Sequence, residues 1–560
     1  MRRATAVRAR RRANDRAAAR VRGSSDRAAR ASSTSAARPR RSSSRRTARR
    51  TTGDSSPSSA SSGASATEIA RLDGALSAAA GSADEGSCST GASTGGAREE
   101  YRPAQARSEA FGSRQSRVGC GPWGGYLSSL PAKCAPSRAL TSAPRASTPS
   151  DAPPLPGAPV TRATRPAGVQ VVITHARRTP IGKFMGGLSE LSSADLGVEA
   201  VKSVLAQSGL DPSRVGEVIV GNGRQAGGGP NVGRQISVRS GVPVETPAWT
   251  VNMACGSGLK ALLLAADSIR AGRCDIAIAA GTESMSRLPF LLPDFRKGYR
   301  LGHQPVVDGM YKDGFVCPLS NMVMGETAEK LAKDLGISRA EQDQFALDSQ
   351  LKSQRAREAG RFYAEIAAVE IAGKKGPVRI ERDEHPRENA TLADMTKLPP
   401  VFDAKNGSVT AGNASGITDG AAALLVMSAD AARELGYEPL ATLGHATQAG
   451  VRPEVMGVGP VPALRKLTQL NGLAPRDYEL VELNEAFAAQ VLACQRELDF
   501  DMARLNVNGG AISLGHPIGA TGVRIVVTLL HEMKRRSARH GLATLCISGG
   551  LGLAVAFERD

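Results

Sequence analysis

Beyond residue 168 the chain alternates short apolar runs with longer segments in which apolar residues recur every three or four positions. The first pattern is typical of buried strands, and the second is typical of helices packed on one face. The predicted strands are Val169–Ile173, Val215–Val220, Trp249–Asn252, Asp275–Ala280, Ala421–Met427, Leu480–Leu483, Thr544–Ile547 and Leu553–Phe557. The predicted helices are Ala194–Gln207, Val232–Ser240, Gly258–Ala271, Gly325–Leu335, Arg339–Ala359, Pro460–Leu470, Ala486–Leu498 and Gly522–Arg535. This alternation indicates an α/β protein built around a largely buried sheet.

The two ends of this region resemble one another. In the first, a strand ending at Asn252 leads through Cys255 into a helix, and in the second, a segment ending at Asn508 leads through His516 into a helix. Each helix is then followed by a strand that runs into glycines. The predicted fold is therefore α/β with a duplicated five-layer α/β/α/β/α core. Such a duplication brings corresponding loops of both halves to one shared site.

Residues 286–408 interrupt the alternation, because Pro, Gly and charged residues dominate there. Segments of this composition between regular elements are typical of loops. We predict an inserted loop or lid domain over 286–408. It separates an N-terminal half at 169–285 from a C-terminal half at 409–560.

Residues 1–168 differ in composition from the remainder. They hold 28 Arg, one Lys and 11 acidic residues, a net charge of +18 out of +19 for the whole chain. Lacking apolar periodicity, they are predicted to form a disordered basic extension. The Arg- and Ser-rich start is typical of an organelle transit peptide, and GC-rich upstream DNA translated from a start placed too early has the same composition. Because residues 169–560 are nearly neutral, no nucleic-acid partner is expected.

Several other classes of protein and site are disfavoured. No apolar run reaches the ~18 residues that a membrane-spanning helix needs. The eight cysteines form no C-x-x-C pair, which favours free thiols in a reducing compartment and indicates no metal site. The Gly-rich segment 221–229 lacks the spacing of a dinucleotide-binding loop and is predicted to be an ordinary loop. We expect a cytoplasmic protein, or a mitochondrial one if residues 1–168 contain a real transit peptide.

Cys255 and His516 lie where catalytic groups are commonly placed. Cys255 stands between a predicted strand and a predicted helix, where free helix N–H groups stabilise a thiolate. The alternative interpretation is a small buried residue at a tight turn. His516 lies in a Gly-rich loop, and its imidazole can accept a thiol proton or polarise a carbonyl. A structural role in that loop fits the pattern equally well.

Cys546 and Asn484 follow apolar strands in the C-terminal half. A second thiol at the end of a strand can move a proton to or from carbon in a dry site, although most such cysteines belong to the core. Asn484 lies at a strand-to-helix junction, where it can cap the helix. Its amide can equally hold a water that faces a developing oxyanion.

Taken together, these segments resemble the thiolase family. The main matching motifs are Asn252-x-x-Cys255-x-Ser257-Gly258, Asn484-Glu485-Ala486-Phe487, the loop 509–520 around His516, and Cys546-x-x-Gly549-Gly550-x-Gly552. Shorter matches occur at Arg178–Gly182, Gly281–Ser286, Met324–Glu329 and Asn413–Ala421. The resemblance covers residues 169–560 and no part of 1–168. It implies the thiolase fold, with its inserted loop domain.

The resemblance implies a role for each candidate catalytic residue. Cys255 would carry the acyl group as a thioester, and His516 would take the thiol proton and help to bind the thioester oxygen. Cys546 would remove a proton from the second acyl-CoA, or return one in thiolysis. Asn484 would hold a water in an oxyanion hole. Two thiols with a histidine supply both the nucleophile and the separate base that joining two thioesters requires.

The resemblance also implies contacts with coenzyme A, which is substrate and product rather than a cofactor. The implied substrate-binding residues are Ser415, Gly416, Met324 and Ser548. Ser548 stands where many members have Gly, and it would be strained if its φ were positive. Val323 stands where short-chain members often have His. The long insert, with its motif Asp308-Gly309-Met310-x-Lys312-Asp313-Gly314, resembles the branch that forms acetoacetyl-CoA.

The implied reaction is that of an acetyl-CoA C-acetyltransferase, the reversible condensation of two acetyl-CoA molecules to acetoacetyl-CoA and CoA. One alternative is a 3-ketoacyl-CoA thiolase that acts on longer chains in fatty-acid breakdown. Another is a non-catalytic acyl-CoA-binding protein, which the intact Cys255, His516 and Cys546 disfavour. A ketoacyl synthase is disfavoured because those enzymes resemble a Cys-His-His site. Family resemblance implies a homodimer or homotetramer.

Deleting residues 1–165 is expected to leave both turnover and melting temperature essentially unchanged. The segment contains none of the motif residues and no apolar periodicity that would join it to a core. Thermal unfolding and steady-state kinetics of the full and shortened chains provide the test. A large loss of either quantity would show that the extension supports the fold or the site.

Overall fold

The computed structural model describes residues 168–559, and the expectations for the preceding segment lie outside this range. Nine strands form the main sheet: β1 Val171–Arg178, β2 Glu217–Gly221, β3 Ala248–Val251, β4 Ile276–Ser284, β5 Thr418–Ser428, β6 Ala441–Gly450, β7 Leu480–Leu483, β8 His540–Ile547 and β9 Leu551–Glu558. Their order is β7-β8-β9-β6-β1-β5-β4-β2-β3, and a two-residue strand, Gly182–Lys183, pairs with β5. All eight predicted strands are therefore present.

The order of the strands confirms the predicted duplication. In the N-terminal half of the sheet β2 runs parallel to β3 and β4, whereas β5 runs antiparallel to β4 and β1. Strand β5 lies in the range predicted for the C-terminal half, 409–560, but it pairs with the strands of the N-terminal half. In the C-terminal half β7 runs parallel to β8, whereas β9 runs antiparallel to β8 and β6. The equivalent of β3 is only a parallel bridge between Val481 and Leu505. Short antiparallel pairing between β1 and β6 joins the two halves into one sheet.

Eleven α-helices lie in the described range, and all eight predicted helices are among them. They are α1 Ser193–Ser208, α2 Val232–Arg239, α3 Ser257–Arg270, α4 Met324–Asp334, α5 Arg339–Glu358, α6 Leu392–Thr396, α7 Ala429–Glu434, α8 Pro460–Asn471, α9 Ala488–Leu498, α10 Ala511–Leu514 and α11 Ile518–Arg536. One apolar core packs α3 and α11 between the two halves of the sheet. A second packs α1 and α2 on the N-terminal half, and a third packs α8 and α9 on the C-terminal half. These are the five predicted layers.

Local sequence explains why the central layer can form. Fifteen of the residues of α11 are buried, which is typical of a helix enclosed on all sides. At Gly258 of α3, a β-carbon would lie 2.8 Å from the carbonyl oxygen of Gly519. Glycine therefore permits the close contact between α3 and α11, and this contact brings the two halves together beside Cys255.

The insert contains α4, α5 and α6, together with short strands that lie apart from the main sheet. These short strands are Phe290–Leu291, Val307–Asp308, Val316–Cys317, Met322–Val323, Val369–Ile371 and Val378–Ile380. Tyr311–Phe315 forms a π-helical turn. The division at 286–408 remains a prediction, although several residues of this segment line the cavity described below.

Two features of the sheet differ from the sequence prediction. Strand β1 extends to Arg178 instead of ending at Ile173, because its polar second half pairs with β5 after a register shift. Strand β6 was not predicted, because its sequence ATLGHATQAG has few large apolar residues and it is only partly buried. Its pairing with β9 holds it in the sheet. Sheet contacts thus override the weak local preference.

Within residues 168–559, all five cysteines are free. The same residues contain no group of three or more His, Cys, Asp or Glu side chains that could hold a metal ion. No helix in this range has the length and apolar character to cross a membrane.

Candidate active site

Loops from both halves and from the insert enclose a cavity of about 560 Å³. Cys255, His516 and Cys546 all line it. The four predicted substrate-binding residues also line it: Ser415, Gly416, Met324 and Ser548. Asn484 is not a lining residue, but the neighbouring Ala486 and Phe487 are. Cys255 and Cys546, which are 291 positions apart in the sequence, thus meet at one site.

Cys255 is held at a tight turn immediately before α3. Ala254 has a positive φ of 45°, which is unusual for a residue with a side chain. The turn is fixed because the side chain of Asn252 accepts a hydrogen bond from the Ala254 N–H at 2.9 Å, while Ser257 Oγ donates to the Ala254 carbonyl at 2.6 Å. These contacts direct the Cys255 thiol into the cavity, where it is only partly covered.

Opposing influences act on the Cys255 thiol. Burial raises its pKa, whereas the Arg224 guanidinium and the backbone N–H groups of Ser548 and of Cys255 itself lower it. Burial has the larger effect, so the pKa lies above its ordinary value. The thiol is therefore protonated at neutral pH and needs a base when it attacks a carbonyl.

His516 is buried and can serve as that base. Its Nδ1 lies 2.6 Å from Thr521 Oγ1, and the Thr521 hydroxyl donates to the Pro517 carbonyl. The hydroxyl therefore accepts from Nδ1–H, which leaves the lone pair on Nε2. Nε2 has no hydrogen-bond partner in the described part of the chain. Burial, with Arg524 and Arg224 nearby, lowers the pKa of His516 to about 3, so the imidazole is neutral.

Cys546 lies at the end of β8, opposite Gly552 of β9. Its pKa is raised well above the ordinary value, first by burial and then by the neighbouring Cys255 and Cys494 sulfurs. At rest this residue is therefore a thiol. A thiol in this position can donate a proton to a carbanion, and it becomes a base only after losing that proton.

Asn484 follows β7, and its backbone N–H donates to the Thr544 carbonyl at 3.0 Å. Its side chain is buried, yet neither the amide oxygen nor the amide nitrogen has a hydrogen-bond partner within residues 168–559. Buried polar atoms without partners cost free energy. An amide of this kind is suited to hold a water or a polar substrate atom.

The loop that contains Ser415 and Gly416 connects the other motifs. The Ser415 N–H donates to the Ala486 carbonyl at 3.0 Å, and the His516 N–H donates to the Gly416 carbonyl at 3.1 Å. A β-carbon at Gly416 would lie 2.0 Å from His385 Nε2, so a side chain there would collide with the histidine. This packing accounts for the glycine.

Ser548 escapes the strain that a positive φ would cause. The positive φ values in this loop belong to Gly549 and Gly550, at 87° and 88°. Ser548 therefore substitutes for glycine without backbone strain, and its N–H remains directed at the Cys255 sulfur.

Sequence reasoning missed Glu283 as an organiser of the site. Its buried carboxylate accepts from the Asn222 amide and from the backbone N–H groups of Gly223, Arg224 and Gly519 at 2.8–3.1 Å. Burial raises the pKa of Glu283 to about 7, although Arg224 and these backbone groups oppose the shift. It ties the loop at 222–224 to the start of α11. Residues 222–224 were correctly predicted to form a loop. Their contact with Glu283 was missed because Glu283 lies about 60 residues away in the sequence.

Sequence reasoning also missed the cations at this site. Lys183, Arg224 and Arg387 line the cavity, and among the described lining residues there is no Asp or Glu. His385, another lining residue that was not predicted, is held by a contact between its Nδ1 and the Ser513 carbonyl. A cavity with this balance of charge favours an anionic ligand. Only the spatial arrangement distinguishes these basic residues from the many others in the sequence.

Two family models match the chain: "Thiolase, N-terminal domain" over residues 171–430 and "Thiolase, C-terminal domain" over residues 437–559. The chain belongs to the thiolase family. This confirms the resemblance drawn from the motifs and makes the protein an acyltransferase.

Curated relatives of this thiolase include the acetyl-CoA acetyltransferase of Cupriavidus necator, with 50% identity over 390 residues, 70% of this chain and 99% of that protein. The acetyl-CoA acetyltransferase of Escherichia coli is 49% identical, over 69% of this chain and 98% of that protein. Among solved structures, the acetyl-CoA acetyltransferase of Syntrophomonas wolfei has a TM-score of 0.69 at 41% identity, covering 70% of this chain and all of that one. The structure of human mitochondrial 3-ketoacyl-CoA thiolase has a TM-score of 0.68 at 40% identity, covering 70% of this chain and 99% of that one.

Proposed function

We propose that this thiolase is an acetyl-CoA C-acetyltransferase, which condenses two acetyl-CoA molecules to acetoacetyl-CoA and CoA and catalyses the reverse thiolysis. The observation that carries the proposal is the meeting of two thiols and one neutral histidine, with a free Nε2, in a single cavity. The names of the similar proteins support acetyl-CoA as the substrate.

In the first step, the Cys255 sulfur attacks the thioester carbonyl of acetyl-CoA while His516 Nε2 takes the thiol proton. The C–S bond to coenzyme A breaks, and His516 returns the proton to the departing CoA sulfur. The backbone N–H groups of Ser548 and Cys255 are positioned to stabilise the oxyanion that forms on the way. The product is an acetyl thioester on Cys255, with CoA released.

In the second step, the Cys546 thiol passes its proton to His516 Nε2, and the resulting thiolate removes a proton from the methyl group of another acetyl-CoA. The enolate attacks the acetyl carbon on Cys255, so a C–C bond forms, the C–S bond to Cys255 breaks, and His516 returns its proton to the Cys255 sulfur. The buried amide of Asn484, through a bound water, and His516 would stabilise the enolate oxygen. In thiolysis the steps reverse, and the resting Cys546 thiol supplies the proton to the departing carbanion.

Coenzyme A enters the proposal as substrate and product, without a resident cofactor. Lys183 and Arg387 are the more exposed cations of the cavity and are suited to its phosphate groups. The loop with Ser415 and Gly416, and Met324 at the start of α4, would contact the pantetheine chain. A homodimer or homotetramer is proposed on family resemblance alone.

Thiolysis is expected to have a higher kcat/KM for acetoacetyl-CoA than for 3-ketopalmitoyl-CoA. The cavity of about 560 Å³ must hold both the end of the pantetheine chain and the acyl group, which leaves little room for a long chain. Measuring both constants on the purified protein is the test of the proposed function. A clear preference for the long chain would favour the alternative of a degradative 3-ketoacyl-CoA thiolase. Absence of turnover on both would favour a non-catalytic acyl-CoA-binding protein.

A further inference from the structure

Arg224 is a buried cation inside the cavity, and no carboxylate of residues 168–559 forms an ion pair with its guanidinium. The residue is only 6% exposed, yet it lines the cavity together with Cys255. Within the described part of the chain, its guanidinium makes one long hydrogen bond, from Nη1 to the Gly223 carbonyl at 3.5 Å. Nε is enclosed and has no partner among the described residues. Burying an unpaired charge is costly, so a ligand that neutralises it would stabilise the site.

Glu283 does not fill this role. Its carboxylate binds the backbone N–H of Arg224, the Asn222 amide and two further backbone N–H groups, and it forms no ion pair with the guanidinium. The guanidinium extends instead toward the π-helical turn at Tyr311–Phe315. At Gly314 in that turn, a β-carbon would lie 2.5 Å from Arg224 Nε. Because residue 314 is a glycine, this turn of the insert leaves room for the Arg224 guanidinium.

The surroundings of Arg224 differ from those of the other two cavity cations. Lys183 and Arg387 are more exposed, whereas Arg224 is buried near the apolar cluster that packs around Cys255. Met285, Phe315 and Ile518 belong to that cluster and line the cavity. Apolar walls that lead to a buried guanidinium are complementary to methylene groups that end in an anion.

We propose that Arg224 binds a carboxylate at the end of the acyl chain, so that this protein also acts on 3-oxoacyl-CoA thioesters whose chain ends in a carboxylate. The inference rests on the proposed function, because it uses the same nucleophile and the same cavity. The acyl group left on Cys255 after cleavage would be a dicarboxylic acid. One of its carboxyl groups would be joined to the Cys255 sulfur as a thioester, and the other would be a free carboxylate at Arg224.

The reaction balances without a further reagent. Cys255 attacks the C3 carbonyl of 3-oxoadipyl-CoA, the C2–C3 bond breaks, and Cys546 protonates the carbanion to give acetyl-CoA. The succinyl group remains on Cys255 until the thiol of CoA attacks it and releases succinyl-CoA. The overall change converts 3-oxoadipyl-CoA and CoA to succinyl-CoA and acetyl-CoA.

The test compares two six-carbon substrates that differ only at the end of the chain: 3-oxoadipyl-CoA, which ends in a carboxylate, and 3-oxohexanoyl-CoA, which ends in a methyl group. Wild-type protein is expected to have a kcat/KM at least about 10-fold higher for the first, and Arg224→Gln is expected to lower that ratio by roughly 10- to 100-fold. Because the ratio is taken within one variant, partial misfolding of Arg224→Gln cancels.

Lys183→Gln is the matched control, since it removes an exposed cation from the same cavity and should leave the ratio unchanged. An equal fall of the kcat/KM ratio in both variants would overturn the proposal. It would mean that the overall positive charge of the cavity, and not Arg224 in particular, favours the substrate that ends in a carboxylate. A wild-type ratio of one or less would also overturn it, as would an Arg224→Gln variant that slows both substrates equally. Thiolysis of acetoacetyl-CoA is measured in parallel, and only its absence would count against the proposed function itself.

Discussion

Cys255→Ala is expected to abolish acetyl transfer and condensation, lowering turnover by roughly 10⁴-fold or more, the scale seen when a covalent nucleophile is lost. No other thiol in the cavity can replace it, because Cys546 is fully buried and its pKa is raised well above the ordinary value. The strained turn at Ala254 and the N–H groups directed at the sulfur serve Cys255 alone. The assay follows formation of acetoacetyl-CoA from acetyl-CoA and thiolysis of acetoacetyl-CoA.

Cys274→Ala provides the matched control for this variant. Cys274 is also a half-buried free cysteine, but it does not line the cavity, and burial and nearby Glu217 and Asp275 raise its pKa to about 11. Its replacement should leave turnover near wild type. Substantial turnover in Cys255→Ala would mean that acyl transfer does not pass through this sulfur.

Cys546→Ala is expected to lower condensation by about 10²- to 10⁴-fold, the usual scale for losing a general acid or base, while acetyl transfer to the protein continues. Transfer onto Cys255 requires His516 Nε2 and the N–H groups around the sulfur, but no proton removal at carbon. The measurements are the rate of acetoacetyl-CoA formation and the uptake of label from radioactive acetyl-CoA.

Cys494→Ala is the control for the loss of a buried thiol. Cys494 is as deeply buried as Cys546, but its sulfur donates to the Gly457 carbonyl and does not face the cavity. Condensation at a near wild-type rate in Cys546→Ala would refute its assignment as the carbon base. Failure of the variant to take up label would refute the assignment of acyl transfer to Cys255 and of proton transfer at carbon to Cys546.

The sequence predicted the regular elements and the motif residues best where local signals are strong. Helix α1, for example, starts at a capping box between Ser192 and Asp195 and ends before Gly209 at a φ of 66°. The convergence of Cys255, His516 and Cys546 followed from the duplicated strand-to-helix pattern. These features depend on short stretches of sequence or on a repeat of them.

The features that were missed depend on contacts between distant segments. Arg224 is accommodated by a glycine 90 residues later, and Glu283 bonds to the N–H of Gly519 across 236 residues. The tautomer of His516 depends on where the Thr521 hydroxyl donates its proton. Such contacts cannot be predicted from the periodicity of apolar residues or from motif spacing, because they form only when distant segments pack together.

The most direct test of the account is the site of acetylation in Cys546→Ala after incubation with acetyl-CoA alone. The protein is digested without reducing agent and its peptides are analysed by mass spectrometry. We expect one acetyl group on the peptide that contains Cys255, removed when CoA is added, and none in the double variant Cys255→Ala/Cys546→Ala. Acetylation of a different residue, or an unmodified Cys255 peptide, would contradict it.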